Sequence, residues 1–254
     1  MRQSNTYIII FTAVLTIIVG GLLSLANTVL GPAQKKSIEL DTKSQILNAV
    51  MEIKKGDDVL SIYKQRITSL VVDFNGDEID VDEKGKPIKA EDVNILKNYK
   101  KDPEKRQYPV FRFMNEDNPT QVDAYILPVY GNGLWDKIWG FIALDKDLEL
   151  ITGISFAHKQ ETPGLGARIS DSEIEGRFVG KKIFDDQRNL VSVTFQKGER
   201  GGGEASIRAF EDQPHKVDGL SGATLTAKGV NAMLKDYLTA YQGYMKKIAS
   251  QEAL

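Results

Sequence analysis

The sequence predicts an α+β protein: a single N-terminal transmembrane helix followed by a soluble domain with an antiparallel sheet and flanking helices. Three patterns carry that reading. Tyr7 to Leu30 holds no charged residue. Short strand-like runs follow one another between Gln121 and Phe156. Near the end of the chain Val230, Met233, Leu234, Tyr237, Leu238, Tyr241 and Met245 recur at three- and four-residue steps, the period of an amphipathic helix. Strands grouped together with helices at the ends distinguish this class from the strict alternation of a parallel α/β sheet.

Composition narrows what the domain does. With 27% charged and 41% hydrophobic residues, usage is that of an ordinary globular protein. The formal net charge of −2 argues against a nucleic-acid partner, which calls for a concentrated basic face. The chain has no cysteine, so disulfides, thiolate metal sites, iron–sulfur clusters and cysteinyl flavin links are excluded. Its two histidines, His158 and His215, lack the spacing of a catalytic zinc site, and no metal is expected.

The elements follow in order. Tyr7–Leu30 exceeds the roughly 20 residues that cross a bilayer and the roughly 7–15 of a signal-peptide core, which favours an uncleaved anchor over a leader cut after Ser24-Leu25-Ala26. Arg2 lies on one side and Lys35 and Lys36 on the other, so positive charge does not decide the orientation. After Gly31-Pro32, the spacing of Ile38, Leu40, Ile46, Leu47 and Val50 predicts a further helix over 37–51. Val71 to Phe74 with Asn75-Gly76 predicts a strand and turn, and the charged run Asp77 to Lys89 a solvated loop. Runs at 123–130, 138–144 and 150–156, divided by Gly131-Asn132-Gly133 and Asp145-Lys146-Asp147, predict an antiparallel meander. A strand over 190–195 precedes the Gly201–Gly203 turn. The divisions expected are 1–31, tip and anchor; 32–100, helical linker and variable region; and 101–254, the principal domain.

Three segments carry candidate chemistry, each with two readings. Ser221-Gly222-Ala223-Thr224-Leu225-Thr226 opens the final helix, where free N–H groups and the helix dipole favour phosphate; alternatively Ser221 or Thr224 simply caps the helix. In His158-Lys159-Gln160-Glu161-Thr162-Pro163-Gly164-Leu165-Gly166 the glycines admit close backbone approach to a flat ligand, or Pro163-Gly164 is a plain turn. Gly133-Leu134-Trp135, just after Tyr130, is either the wall of an aromatic-ring site or a hairpin tip. Ser221 lacks the G-x-S-x-G elbow of a hydrolase, and Gly201–Gly203 lacks the ending of a P-loop.

Taken together and in this order, the three motifs resemble the FMN-binding domain of the C subunit of the sodium-translocating NADH:quinone reductase, whose relative is the G subunit of the Rnf-type electron-transport complex. The segment from Gln34 to Leu47, with Leu40-Asp41-x-Lys43-x-Gln45-Ile46-Leu47, looks more like the former. The resemblance implies covalent FMN, attached by a flavin transferase through a phosphoester to the last threonine of Ser-Gly-Ala-Thr-x-Thr, here Thr226. By the same resemblance His158, Glu161, Thr162, Pro163, Gly164, Leu165 and Gly166, with Gly133, Leu134 and Trp135 and with Ser221 to Leu225, form the flavin pocket. It implies too a bacterial cytoplasmic-membrane location, a periplasmic domain, and other membrane subunits of the complex as partners. With no nicotinamide fold or quinone-reducing centre of its own, the chain is expected to pass electrons without a complete active site. The G-type subunit of an Rnf ferredoxin:NAD complex or another, stand-alone flavinylated extracytoplasmic domain, and a cofactor-free membrane-anchored scaffold, are the alternatives.

Overall fold

The computed structural model describes residues 4–82 and 85–252; Arg2, Glu83 and Lys84, which bear on the orientation and on the charged run, lie outside them. The chain divides into two compact units, Met1–Lys43 and Ser44–Leu254. The first element is helix α1 (Asn5–Asn48), which holds Pro32 within it. The separate helix expected after Gly31-Pro32 is instead the continuation of the same one. Proline removes one backbone hydrogen bond, a small fraction of those in a 44-residue helix. The apolar stretch satisfies the length and composition of a membrane span.

In the second unit, α2 (Val59–Arg66) leads directly into β1 (Ile67–Val72). Asp58 caps α2 by accepting the Ser61 amide, one of the first-turn donors that the helix cannot satisfy itself. Four further strands, β2 (Tyr108–Met114), β3 (Val122–Asn132), β4 (Lys137–Asp145) and β5 (Ile151–His158), complete a sheet ordered β1-β2-β3-β4-β5, every neighbour antiparallel. The meander is therefore present, extended at its front by β1 and β2. β1 starts four residues before the expected strand, and Asp73 to Gly76 forms its turn. The strand expected over 190–195 shrinks to β6 (Thr194–Phe195), paired in parallel with β7 (Lys216–Val217). Ser192 has a φ of 64°, a left-handed conformation that no extended strand accommodates.

Both faces of the main sheet are covered. Val110, Leu127, Val129 and Ile142 face one cluster, where Val230, Leu234, Tyr237, Leu238 and Tyr241 of the final helix α6 (Thr224–Glu252) pack. Phe111, Ile126, Phe141 and Ala143 face the other, with Ile46, Leu47, Val59 and Tyr63. Burial on two sides makes β3 and β4 nearly continuous apolar runs. α6 lies against β3 closely enough that a Cβ on Gly229 would meet the Asn132 carbonyl, and one on Gly131 would come within 2.8 Å of Met233 Cβ. These contacts fix the start of α6 beside the β3–β4 hairpin tip. The short helices α3 (Ile95–Tyr99), α4 (Ser172–Gly176) and α5 (Gly203–Arg208) sit in the connections.

Candidate functional site

Three loops converge on one hydroxyl. Thr226 is only 1% exposed, and its Oγ1 donates to Glu161 Oε2 at 2.6 Å. The other carboxylate oxygen, Oε1, accepts the backbone amide of Trp135 at 3.0 Å, so one buried side chain joins the helix start to the hairpin tip. The Glu161 amide in turn donates to His158 Nδ1 at 3.3 Å, and Trp135 Nε1 donates to Thr162 Oγ1 at 3.1 Å. Burying a carboxylate is costly unless its lone pairs are taken up; here an amide and a hydroxyl each take one.

The two glycines of the loop after β5 differ. A Cβ on Gly166 would lie 2.5 Å from both Glu161 Oε2 and Thr226 Oγ1, whereas one on Gly164 would meet nothing within 4 Å. Gly164 is glycine because its φ is 73°, which an L side chain tolerates poorly. Gly133 repeats the first case, since its Cβ would strike Glu161 Oε1.

At the helix start, neither expected cap is present. Ala223 opens the helix, its carbonyl accepting the Ala227 amide at 3.0 Å. The Ser221 and Thr224 hydroxyls take no backbone amide among the described residues, and the amides of Thr224, Leu225 and Thr226 find no acceptor there. The N-terminus of a 29-residue helix is thus left with the donor set and dipole that suit a phosphate. Thr224 and Leu225 are exposed while Thr226 is buried, as expected for residues one and two steps apart on a helix. Around this polar point Leu134, Trp135, Leu165 and Leu225 are 46, 68, 42 and 55% exposed. Large apolar side chains left in water beside open amides are the lining that a planar ring bearing a phosphate calls for. Pro163 is exposed in the same loop.

The residues that hold this loop in place carry no motif. Arg177, 1% exposed, donates to the Asp218 and Gly219 carbonyls at 3.3 and 2.7 Å and to Glu173 and Glu199 at 2.7 and 2.8 Å. Glu199 also receives both terminal nitrogens of Arg168, at 2.9 and 2.7 Å, and the Ser221 amide at 3.1 Å. The Arg168 fork, with Arg177 and the Ser221 amide behind it, holds the Glu199 carboxyl down at about 2. Buried Asp218 accepts the Ser206 hydroxyl and the Arg200 amide, each at 2.6 Å. Charged residues of this kind look like solvated loop in the sequence; only their convergence from four segments reveals them.

The sequence profile of the FMN-binding domain family matches residues 133–239, a span that starts at the hairpin tip and runs past Thr226. The C subunit of the Na(+)-translocating NADH-quinone reductase of Haemophilus ducreyi is 32% identical over 91% of this chain and 86% of its own length. The chain belongs to this C-subunit family. The corresponding protein of Chlamydia trachomatis is 31% identical over 97% of this chain and 93% of its own. Among solved structures, the C subunit of Parabacteroides distasonis superposes with a TM-score of 0.66 at 32% identity, covering 85% of this chain and 96% of that one. Shewanella oneidensis NqrC, at 21% identity and a TM-score of 0.65, shares the fold. Within the C-subunit family the apolar first helix fits a membrane anchor.

Proposed function

We propose that this chain is the electron-transferring C subunit of a sodium-pumping NADH:quinone reductase, carrying FMN covalently through a phosphoester to Thr226. The observation that carries the attachment is the pairing of the Thr226 hydroxyl with the Glu161 carboxylate at 2.6 Å: among the described residues Thr226, of the two nearby threonines, is the one with an acceptor for its proton, while Thr224 is exposed. The residues present fit the group. The amides of Thr224 to Thr226 and the turn Ser221-Gly222-Ala223 would hold the phosphate. Leu134, Trp135, Leu165 and Leu225 would flank the ring, and His158, Thr162, Pro163, Gly164 and Gly166 would line it from the end of β5 and the loop after it.

FMN supplies one- and two-electron redox chemistry when bound; the protein supplies tether, orientation and local charge. Thr226 is buried, which favours attachment by a dedicated flavin transferase acting on the chain. The domain is assigned to the periplasmic side of the bacterial cytoplasmic membrane, and the other subunits of the reductase are its partners. Intact-mass measurement on protein from its native membrane tests the reading. Thr226→Ala is expected to lose the covalent flavin mass entirely and Thr224→Ala to retain it; the reverse result would move the attachment to Thr224.

A further inference from the structure

The contact between Thr226 and Glu161 does more than mark an attachment point. Both side chains are buried, at 1 and 4% exposure, and the hydroxyl proton already points at Oε2. Gly133 and Gly166 leave room only for the carboxylate oxygens and the hydroxyl between them. The Trp135 amide on Oε1 fixes the direction of the carboxylate and leaves Oε2 as the proton-accepting atom. Other ionisable groups nearby are engaged elsewhere. His158 Nδ1 accepts the Glu161 amide, Asp136 pairs with Lys159, Lys137 with the Asn132 side chain, and Arg168 with Glu199; Lys228 is exposed on α6. None of these touches the Thr226 hydroxyl among the described residues.

We propose that Glu161 is the proton acceptor for esterification of Thr226, so that the chain carries within itself the base for its own modification. This rests on Thr226 being the attached residue. A phosphate monoester would have to expel hydroxide to form the ester, so the donor is a flavin phosphoanhydride, the class of the flavin dinucleotides. The Thr226 Oγ1–P bond forms, the anhydride P–O bond breaks, and its electron pair departs on the nucleoside monophosphate. The hydroxyl proton passes to Glu161 Oε2, and nothing is oxidised or reduced. The product leaves Glu161 neutral beside an anionic phosphodiester, which removes the repulsion that two adjacent charges would impose.

The test uses the full-length chain in detergent with flavin transferase and flavin dinucleotide, following single-turnover appearance of covalent flavin fluorescence in denaturing gels across pH. Glu161→Gln keeps the acceptor for the Trp135 amide and removes the base. It is expected to slow attachment by about 10²-fold or more, as removal of a general base does, to abolish the fall in rate toward acid pH, and to melt near the wild-type temperature. Attachment within about threefold of wild type, or slow attachment with the acid fall intact, would overturn the assignment of the base. Should Glu161→Gln not fold, Glu161→Asp decides: a reduced rate that still falls in acid supports the proposal, and a full rate overturns it. Thr226→Ala runs beside these variants, because covalent flavin on it would defeat the attachment reading itself, independently of Glu161.

Discussion

Gly166→Ala places one methyl group at the point on which the site depends. The new Cβ would stand 2.5 Å from Glu161 Oε2 and from Thr226 Oγ1, against an ordinary contact of 3.4 Å or more, so each oxygen and the methyl group must move apart by 0.9 Å (3.4 − 2.5). Thr226 is held by α6, which is pinned at Gly229 and Gly131, whereas Thr162 to Leu165 are exposed and tied to the hairpin tip by the Trp135–Thr162 bond. The loop is therefore expected to yield and to draw Glu161 off the Thr226 hydroxyl, which it contacts at 2.6 Å, with the rest of the domain intact. Overpacking that relaxes in this way costs about 2 kcal/mol, roughly 4–8 °C in melting temperature for a domain of this size. Reactive groups misplaced by about 1 Å lose on the order of 10²-fold in rate, so flavin attachment falls far more than stability. Gly164→Ala is the matched control. It strains a residue at φ 73° by about 1–2 kcal/mol but meets no neighbour, and its attachment rate should stay within a few-fold of wild type. Covalent flavin fluorescence and thermal melting of the two variants make the comparison. Equal attachment rates at equal melting temperatures would refute the reasoning and return Gly166 to the role of a turn residue.

Glu199→Gln leaves Arg168 and buried Arg177 without their shared carboxylate, and breaking such a pair costs on the order of 3 kcal/mol. The Glu199 carboxyl is lowered to about 2, so its stabilisation is fully present above the ordinary value of 4.5 and is lost as pH falls toward 2; denaturant titrations should show the gap to wild type constant near neutrality and closing in acid. Glu175 moves the other way. Burial raises its carboxyl from 4.5 to about 7 although it accepts the Phe156 amide at 2.6 Å. A raised carboxyl contributes stability below 4.5 that is lost as pH climbs through 7, so Glu175→Gln should raise the melting temperature at pH 8 by several degrees and leave it nearly unchanged at pH 4, on the order of 1–3 kcal/mol. A uniform effect at both pH values would refute the burial argument.

What the chain reveals without its fold is whatever depends on near neighbours. The anchor, the hairpins from β3 to β5 and the stripe of α6 are periodic patterns closed within one element or one turn, and the Ser221–Thr226 and His158–Gly166 segments carry their glycines and hydroxyls on their face. β2 is hidden because both its faces are buried, so Tyr108 to Met114 shows no alternation, and Pro109 and Arg112 interrupt what remains. The strand expected over 190–195 failed for the opposite reason, since apolar residues there fill the core around left-handed Ser192 without a long partner strand. A hydroxyl at a helix start was legible at Thr226, but the acceptor it donates to was not. Glu161 lies 65 residues away and Arg177 reaches carbonyls 41 and 42 residues away. A single side chain's partner across such separations is set by how α6 seats on β3, and that seating is decided by close contacts such as Gly229 against Asn132. Local propensity and period determined the elements of this protein; which carboxylate meets which hydroxyl was decided only when packing brought four distant segments to one point.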